Sequence, residues 1–272
     1  MARFGSTPFA FPEFRGATRR LILWNLSAYF LLAIAGVAAR GFAAELFNGL
    51  IFTPSEFLHG ALWQPFTYSL IHPTIFGTLF ELLSLWFLAG FLETYHNASW
   101  VTSLYAISVL GTAAAATAIY ACGHTLGYSL AGGQLVGCFG GIFGLLMAIG
   151  VLYGDVQFML FPLPMGIKAR YLAAIYAVVS IAMLFGEQRI YAFSQLGGAL
   201  AGLAYIRLAP RRGLSFGLSE RWYGLRNGYY RWKRRRAARK FEVYMRSQGR
   251  NVRLDSKGRQ IDDDPNDKSR WN

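Results

Sequence analysis

The sequence predicts an all-α membrane protein, a bundle of six transmembrane helices with both termini in the cytoplasm. Three observations predict it. Charged residues are only 15% of the 272 positions and hydrophobic residues 54%, against a charged share of about 25% in soluble domains. Six apolar runs approach or exceed the length that crosses a bilayer, about 20 predominantly apolar residues. Of 27 lysines and arginines, six crossings place all but Arg40 and Arg189 on one side, the bias that marks the cytoplasmic face.

The elements follow in order. Residues 1–20 form a cytoplasmic basic arm carrying Arg3, Arg15, Arg19 and Arg20. The first run, 21–39, holds no charge and is too long for the apolar core of a cleaved signal. Residues 41–73 connect it to the second run on the outer side, yet they include Phe47, Ile51, Phe52, Phe57 and Leu62. Backbone so apolar lies in the interface or dips into the membrane, where it must be helical or covered by protein. Trp63, Phe66 and Tyr68 suit the headgroup level.

The second run, 74–92, carries one charge, Glu81; the third and fourth, 101–122 and 135–153, carry none. A glycine-rich polar connection, 123–134, joins these two outside. Inside, 154–170 contains Pro162 and Pro164, which cannot continue a helix. The runs 171–185 and 190–208 complete the set. Gly137, Gly141 and Gly144 on the fourth run, and Gly198 and Gly202 on the sixth, are spaced to let helix backbones approach closely.

Beyond residue 208 the composition changes. Residues 209–254 are basic and aromatic, with Trp222, Leu225, Tyr229 and Trp232 at helical spacing ahead of Lys233, Arg234, Arg235 and Arg236. This reads as an amphipathic juxtamembrane helix on the inner leaflet, with Trp222, Trp232 and the four cations contacting anionic lipid. Residues 255–272 turn polar and acidic and are expected to be disordered. The strongly basic balance thus comes from topology and tail. No nucleic-acid partner is expected, because no reader motif accompanies it. Cys122 and Cys138 both fall near the outer face, as a disulfide in an oxidising compartment or as small buried apolar groups.

Glu81, the one carboxylate inside an otherwise apolar span, faces the bundle interior, either in a functional role or as a hydrogen-bonded structural group. A transporter with Glu81 in its path would call for an internal repeat, and none is evident.

Several landmarks resemble the rhomboid family of intramembrane serine proteases over residues 21–208. They are Trp63-Gln64-Pro65-Phe66-Thr67-Tyr68 followed by His72; Gly90 with Glu93; the start Gly137-Cys138-Phe139-Gly140-Gly141; the run from Leu196 to Gly202; and the basic tail from Arg239 to Met245. The resemblance implies a nucleophilic serine on the fourth helix, a histidine base on the sixth, and side chains on the second that help hold an oxyanion. Carried over, the serine position is Phe139, the histidine position Gln195, and the oxyanion-side positions Gly77 and Glu81.

None of the four keeps the chemistry. Phenylalanine has no nucleophile, glutamine is no base, glycine has no donor side chain, and a carboxylate repels an oxyanion. The resemblance therefore implies a rhomboid-like pseudoprotease that binds transmembrane segments of client proteins, with Glu81, Phe139 and Gln195 as candidate contacts. The alternative is an active endopeptidase with an unrecognised nucleophile, Cys138 served by His59, His72 or His124. No metal and no cofactor are expected. The expected partners are the lipid bilayer, client helices and anionic lipid. The expected location is the bacterial cytoplasmic membrane, crossed several times.

Overall fold

The computed structural model describes residues 12–126, 133–159, 166–186, 189–208 and 214–248. Two units divide the chain, Met1–Leu214 and Ser215–Asn272.

In the first unit, helix α1 (Gly16–Ala38) covers the first apolar run. It starts earlier than expected, so the last residues of the 1–20 arm are helical. Glu93 accounts for this start: its carboxylate accepts hydrogen bonds from the Ala17 and Thr18 amides (2.7 and 3.1 Å) and from the Thr18 hydroxyl (2.8 Å). Those amides have no partner within the helix itself. Gly16 stands beside the carboxylate at φ +54°, and a Cβ there would collide with Glu93 Oε1. Leu23, Trp24, Phe30, Leu31, Ile34 and Val37 point outward along α1, an apolar surface suited to lipid.

The outer connection is helical, as its apolar character requires. Helices α2 (Arg40–Leu50), α3 (Pro54–Leu58) and α4 (Gln64–Thr67) lead into a 3-10 turn, Tyr68–Leu70. Side chains tie these short pieces together. Trp63 Nε1 donates to Gly49 O at 2.9 Å, Thr67 Oγ1 to Leu50 O at 2.7 Å and Gln64 Nε2 to Glu56 Oε2 at 2.6 Å. The buried Tyr68 hydroxyl donates to Val109 O at 2.8 Å. Trp63 and Phe66 stay exposed.

Helix α5 (Ile75–Tyr95) buries Glu81, Leu82, Leu85, Leu88, Ala89 and Leu92 on one face, the spacing of a single helical stripe. Asn97 then starts α6 (Ala98–Thr125) by accepting the Trp100 amide on its side-chain oxygen at 2.8 Å. Cys122 at the far end is exposed and Cys138 is buried; both are free thiols.

Helix α7 (Phe139–Leu152) is buried over most of its circumference, as befits a central helix. It starts later than the predicted run 135–153. Leu135 instead exchanges backbone hydrogen bonds with Phe52 (3.1 and 2.9 Å), and the Gly137 amide donates to Ile71 O at 2.8 Å. These pairings keep 135–137 out of the helix.

A two-stranded antiparallel hairpin follows, β1 (Gln157–Met159) and β2 (Gly166–Lys168), with Phe158 opposite Ile167. Phe158 anchors it against Phe87 and Phe91 of α5, with ring centroids 5.7 and 5.3 Å apart. Pro162 and Pro164 lie outside the described residues. Helices α8 (Ala169–Met183) and α9 (Arg189–Leu208) complete the unit.

Helices α6, α7 and α9 meet through small residues. A Cβ at Gly198 would stand 2.9 Å from Gly140 O and 3.0 Å from Ser108 O, and one at Gly202 would stand 2.9 Å from Gly144 Cα. Any larger residue at either position would force the three backbones apart.

Helices thus form at all six predicted positions. Three of them, α1, α5 and α6, are long and apolar enough to cross a membrane; α7 and α8 are shorter apolar helices. The sequence made the fourth run look longer because residues 135–138 are apolar without being helical.

The second unit contains α10 (Leu214–Ser247), 34 residues long. Tyr223, Tyr229, Tyr230 and Trp232 are exposed on it. The Arg236 guanidinium lies over the Trp232 ring at 5.4 Å. The side chains of Trp222, Leu225 and Arg235, the acidic tail 255–272 and residues 1–11 lie outside the described residues.

Candidate functional site

The residues singled out by the sequence converge unequally on the N-terminus of α7. Glu81 is in the second turn of α5, facing inward. Its Oε2 accepts the Cys138 amide at 2.7 Å. That amide belongs to the cap of α7, where helix N–H groups are unpaired and the helix dipole favours an anion. Gly137 makes room for the carboxylate. Its φ is +82°, and a Cβ there would stand 2.5 Å from Oε2 and 2.9 Å from Oε1. The first glycine of the glycine-rich start is required twice over, by backbone and by neighbour.

His72 approaches from the connection before α5. Its Nδ1 lies 3.1 Å from Leu70 O and its Nε2 3.3 Å from Glu81 Oε2, and the side chain is fully buried. A carbonyl only accepts, so Nδ1 carries a hydrogen. Nε2 has no aligned hydrogen-bond partner among the described residues; the Glu81 oxygen is close to it but off line.

Phe139 is half-buried, and its ring meets Tyr191 edge-on, with centroids 6.4 Å apart. Gln195, buried one turn further along α9, turns toward α8, where Ser180 Oγ donates to its Oε1 at 3.4 Å. Gly77 sits one turn before Glu81 on α5, beside Thr74 Oγ1 at 2.6 Å from an added Cβ. Phe139 and Glu81 are therefore brought to the start of α7, while Gln195 is drawn into the α8–α9 contact.

A family model described as eukaryotic integral membrane protein (DUF1751) matches residues 20–213. The chain belongs to that family. No curated protein matches it. As a DUF1751 protein it is an integral membrane protein that sits in a lipid bilayer. The description as eukaryotic overturns the expectation of a bacterial cytoplasmic membrane. The error has a physical source: the lysine and arginine bias reports which side of a membrane a loop occupies, not whose membrane it is.

Two features of the DUF1751 site were missed in reading the sequence. Tyr191, the partner of Phe139, could have been found as the residue one turn before Gln195 on the same helix. Of the grouping of His72, Glu81 and Cys138, the sequence offered His72 only as one of three histidines that could serve Cys138, with nothing to join Glu81 to the pair. No metal was expected, yet a ring nitrogen of His72, a Glu81 carboxylate oxygen and Cys138 Sγ all lie within 4.8 Å of one another, from three buried residues.

Proposed function

We propose that this protein is a rhomboid-like membrane pseudoprotease of six crossings with cytoplasmic termini, which holds transmembrane segments of client proteins without cutting them. The observation that carries the reading is the 2.7 Å hydrogen bond from the Cys138 amide to Glu81 Oε2. In the proteolytic scheme that the resemblance implies, side chains on the second helix, at the positions of Gly77 and Glu81, help hold the oxyanion. Here a resident carboxylate takes the Cys138 amide, and a developing oxyanion would be repelled there. Phe139 and Gln195 complete the loss, one packed on Tyr191 and the other bonded to Ser180.

The proposed division is an arm at 1–20, a membrane domain at 21–208, a lipid-surface helix at 209–254 and a tail at 255–272. Outward apolar side chains on α5, among them Phe76, Leu79, Phe80 and Leu83, offer a client helix a wall with the character of lipid.

One observation favours the runner-up reading, an endopeptidase with a cysteine nucleophile. Cys138 Sγ lies within 4.8 Å of a ring nitrogen of His72. Against it, Cys138 is buried at 0% exposure, so a peptide has no path to the sulfur.

Activity labelling decides between the two. The purified protein should react neither with a serine-directed fluorophosphonate nor with a bilayer-embedded rhomboid substrate, while client segments co-purify in mild detergent. Phe139→Ser with Gln195→His should stay unlabelled, because Glu81 still occupies the amide. Adding Glu81→Asn should allow weak labelling, one freed oxyanion donor being worth about 10²–10³ in rate. Cleavage by the unmodified chain that Cys138→Ala abolishes would replace the pseudoprotease reading with the cysteine enzyme.

A further inference from the structure

His72, Glu81 and Cys138 come from three separate pieces of chain: the connection before α5, α5 itself, and the turn into α7. Their ligand atoms lie within 4.8 Å of one another in a fully buried setting. The imidazole is held by Leu70 O at Nδ1, which leaves Nε2 facing Glu81 Oε2, 3.3 Å away. Nε2 has no aligned partner among the described residues, although its side chain is 0% exposed. Among the described residues no lysine or arginine pairs with Glu81; His72 is the basic group beside it. A ring nitrogen and a carboxylate oxygen this close, with a thiol beside them in a buried place, form a ready donor set for a metal ion.

We propose that His72 Nε2, Glu81 and Cys138 Sγ bind a divalent transition-metal ion of the zinc class. The donor set selects the metal: imidazole and thiolate suit zinc and its d-block neighbours, whereas magnesium and calcium take oxygen. Geometry agrees with the donor set. Ligands about 2.0 Å from a tetrahedral zinc stand roughly 3.3 Å apart along an edge, and the Nε2–Oε2 separation is 3.3 Å. Cys138 Sγ lies within 4.8 Å of the other two ligand atoms.

The supporting contacts of a metal site are already in place. A ligating histidine donates its other ring N–H to a carbonyl or carboxylate, as His72 does to Leu70 O. The carboxylate is likewise oriented, by the Cys138 amide at 2.7 Å. Three protein donors leave the fourth position of a tetrahedral ion for water or for a group on a partner. This site is independent of the pseudoprotease reading, since it asks nothing of Phe139 or Gln195.

The test uses the full chain in detergent with Co²⁺ as a coloured stand-in for Zn²⁺. The expected result is stoichiometric uptake with a thiolate-to-cobalt charge-transfer absorption, displaced by Zn²⁺. The thermal midpoint should rise with added Zn²⁺ and fall on chelation. Cys138→Ser should lose the charge-transfer absorption, and Cys122→Ser should keep it. Glu81→Gln, close in shape to the native side chain, should weaken binding about tenfold or more. The proposal is overturned if the folded wild-type chain takes up no Co²⁺ or Zn²⁺ at micromolar concentrations with an unmoved thermal midpoint. It is equally overturned if the charge-transfer absorption survives in Cys138→Ser. Should a variant fail to fold, the wild-type titration and chelation decide by themselves. Neither outcome bears on fluorophosphonate labelling, so this site and the lost catalysis fail separately.

Discussion

Glu93 at the end of α5 and Thr18 at the start of α1 are joined twice: the carboxylate accepts the Thr18 amide at 3.1 Å and its hydroxyl at 2.8 Å. Together with the Ala17 amide at 2.7 Å, this makes Glu93 the cap of a helix 75 residues away in sequence. The Gly90–Glu93 pair that looks like a landmark in the sequence is thereby a joint between the first and second long helices.

Glu93→Ala should therefore lower stability by about 1–3 kcal/mol, the cost of leaving partly buried donors unpaired. Glu93→Gln should recover only part of this, because its amide nitrogen brings a donor toward donors. Thermal unfolding in detergent reads both. A midpoint unchanged in Glu93→Ala would mean that α1 is held by lipid contacts alone.

Gly137 and Gly36 form a matched pair. Gly137 has φ +82° and a Glu81 oxygen where a Cβ would go, whereas nothing lies within 4 Å of a Cβ at Gly36. Gly137→Ala should cost at least about 1–2 kcal/mol from the left-handed backbone alone, and the displaced carboxylate adds to it. Gly36→Ala, in the last turn of α1, should be neutral or stabilise by less than the roughly 1 kcal/mol expected in a helix interior. Unfolding midpoints that move equally would contradict the placement of Glu81 against Gly137.

His96 supplies a pH dependence. It lies between α5 and α6, stacked on Trp100 with ring centroids 3.8 Å apart, and its Nε2 is 3.1 Å from the Tyr153 hydroxyl. Burial holds the imidazole below its ordinary range. The folded protein thus binds a proton less readily than the unfolded chain, whose histidine titrates near 6.5. Stability from this group is complete above that value and declines as pH falls through it toward the lower folded value. His96→Phe, which keeps the stacking, should flatten the thermal midpoint between about pH 7 and 5. An unchanged slope would assign the dependence elsewhere.

The basic helix should behave as a lipid-surface element. A peptide covering residues 218–245 should bind vesicles containing anionic lipid and come off as salt rises, because the attraction fades within a Debye length, about 10 Å at 0.1 M. Trp222 and Trp232 provide the fluorescence signal. Equal binding to neutral vesicles would leave a purely hydrophobic contact and remove the role given to Lys233, Arg234, Arg235 and Arg236.

The sequence by itself determined where the helices lie, because apolar runs and the punctuation between them are local properties. It also determined that the chain is a membrane protein, and that residues 41–73 had to be helical or covered, since unpaired backbone is not tolerated at that depth. Glycines at 198 and 202 announced a close helix contact for the same local reason. The tertiary structure decided what each polar group inside the bundle touches. Glu81 was visible as one carboxylate in an apolar span, but its partners, the Cys138 amide and His72, sit 57 and 9 residues away. Phe139 turned to Tyr191 and Gln195 to Ser180, choices set by the rotation of one helix against another. Hydropathy is summed along a chain and survives without coordinates; a hydrogen bond depends on a few tenths of an ångström between distant segments, and folding alone sets that distance.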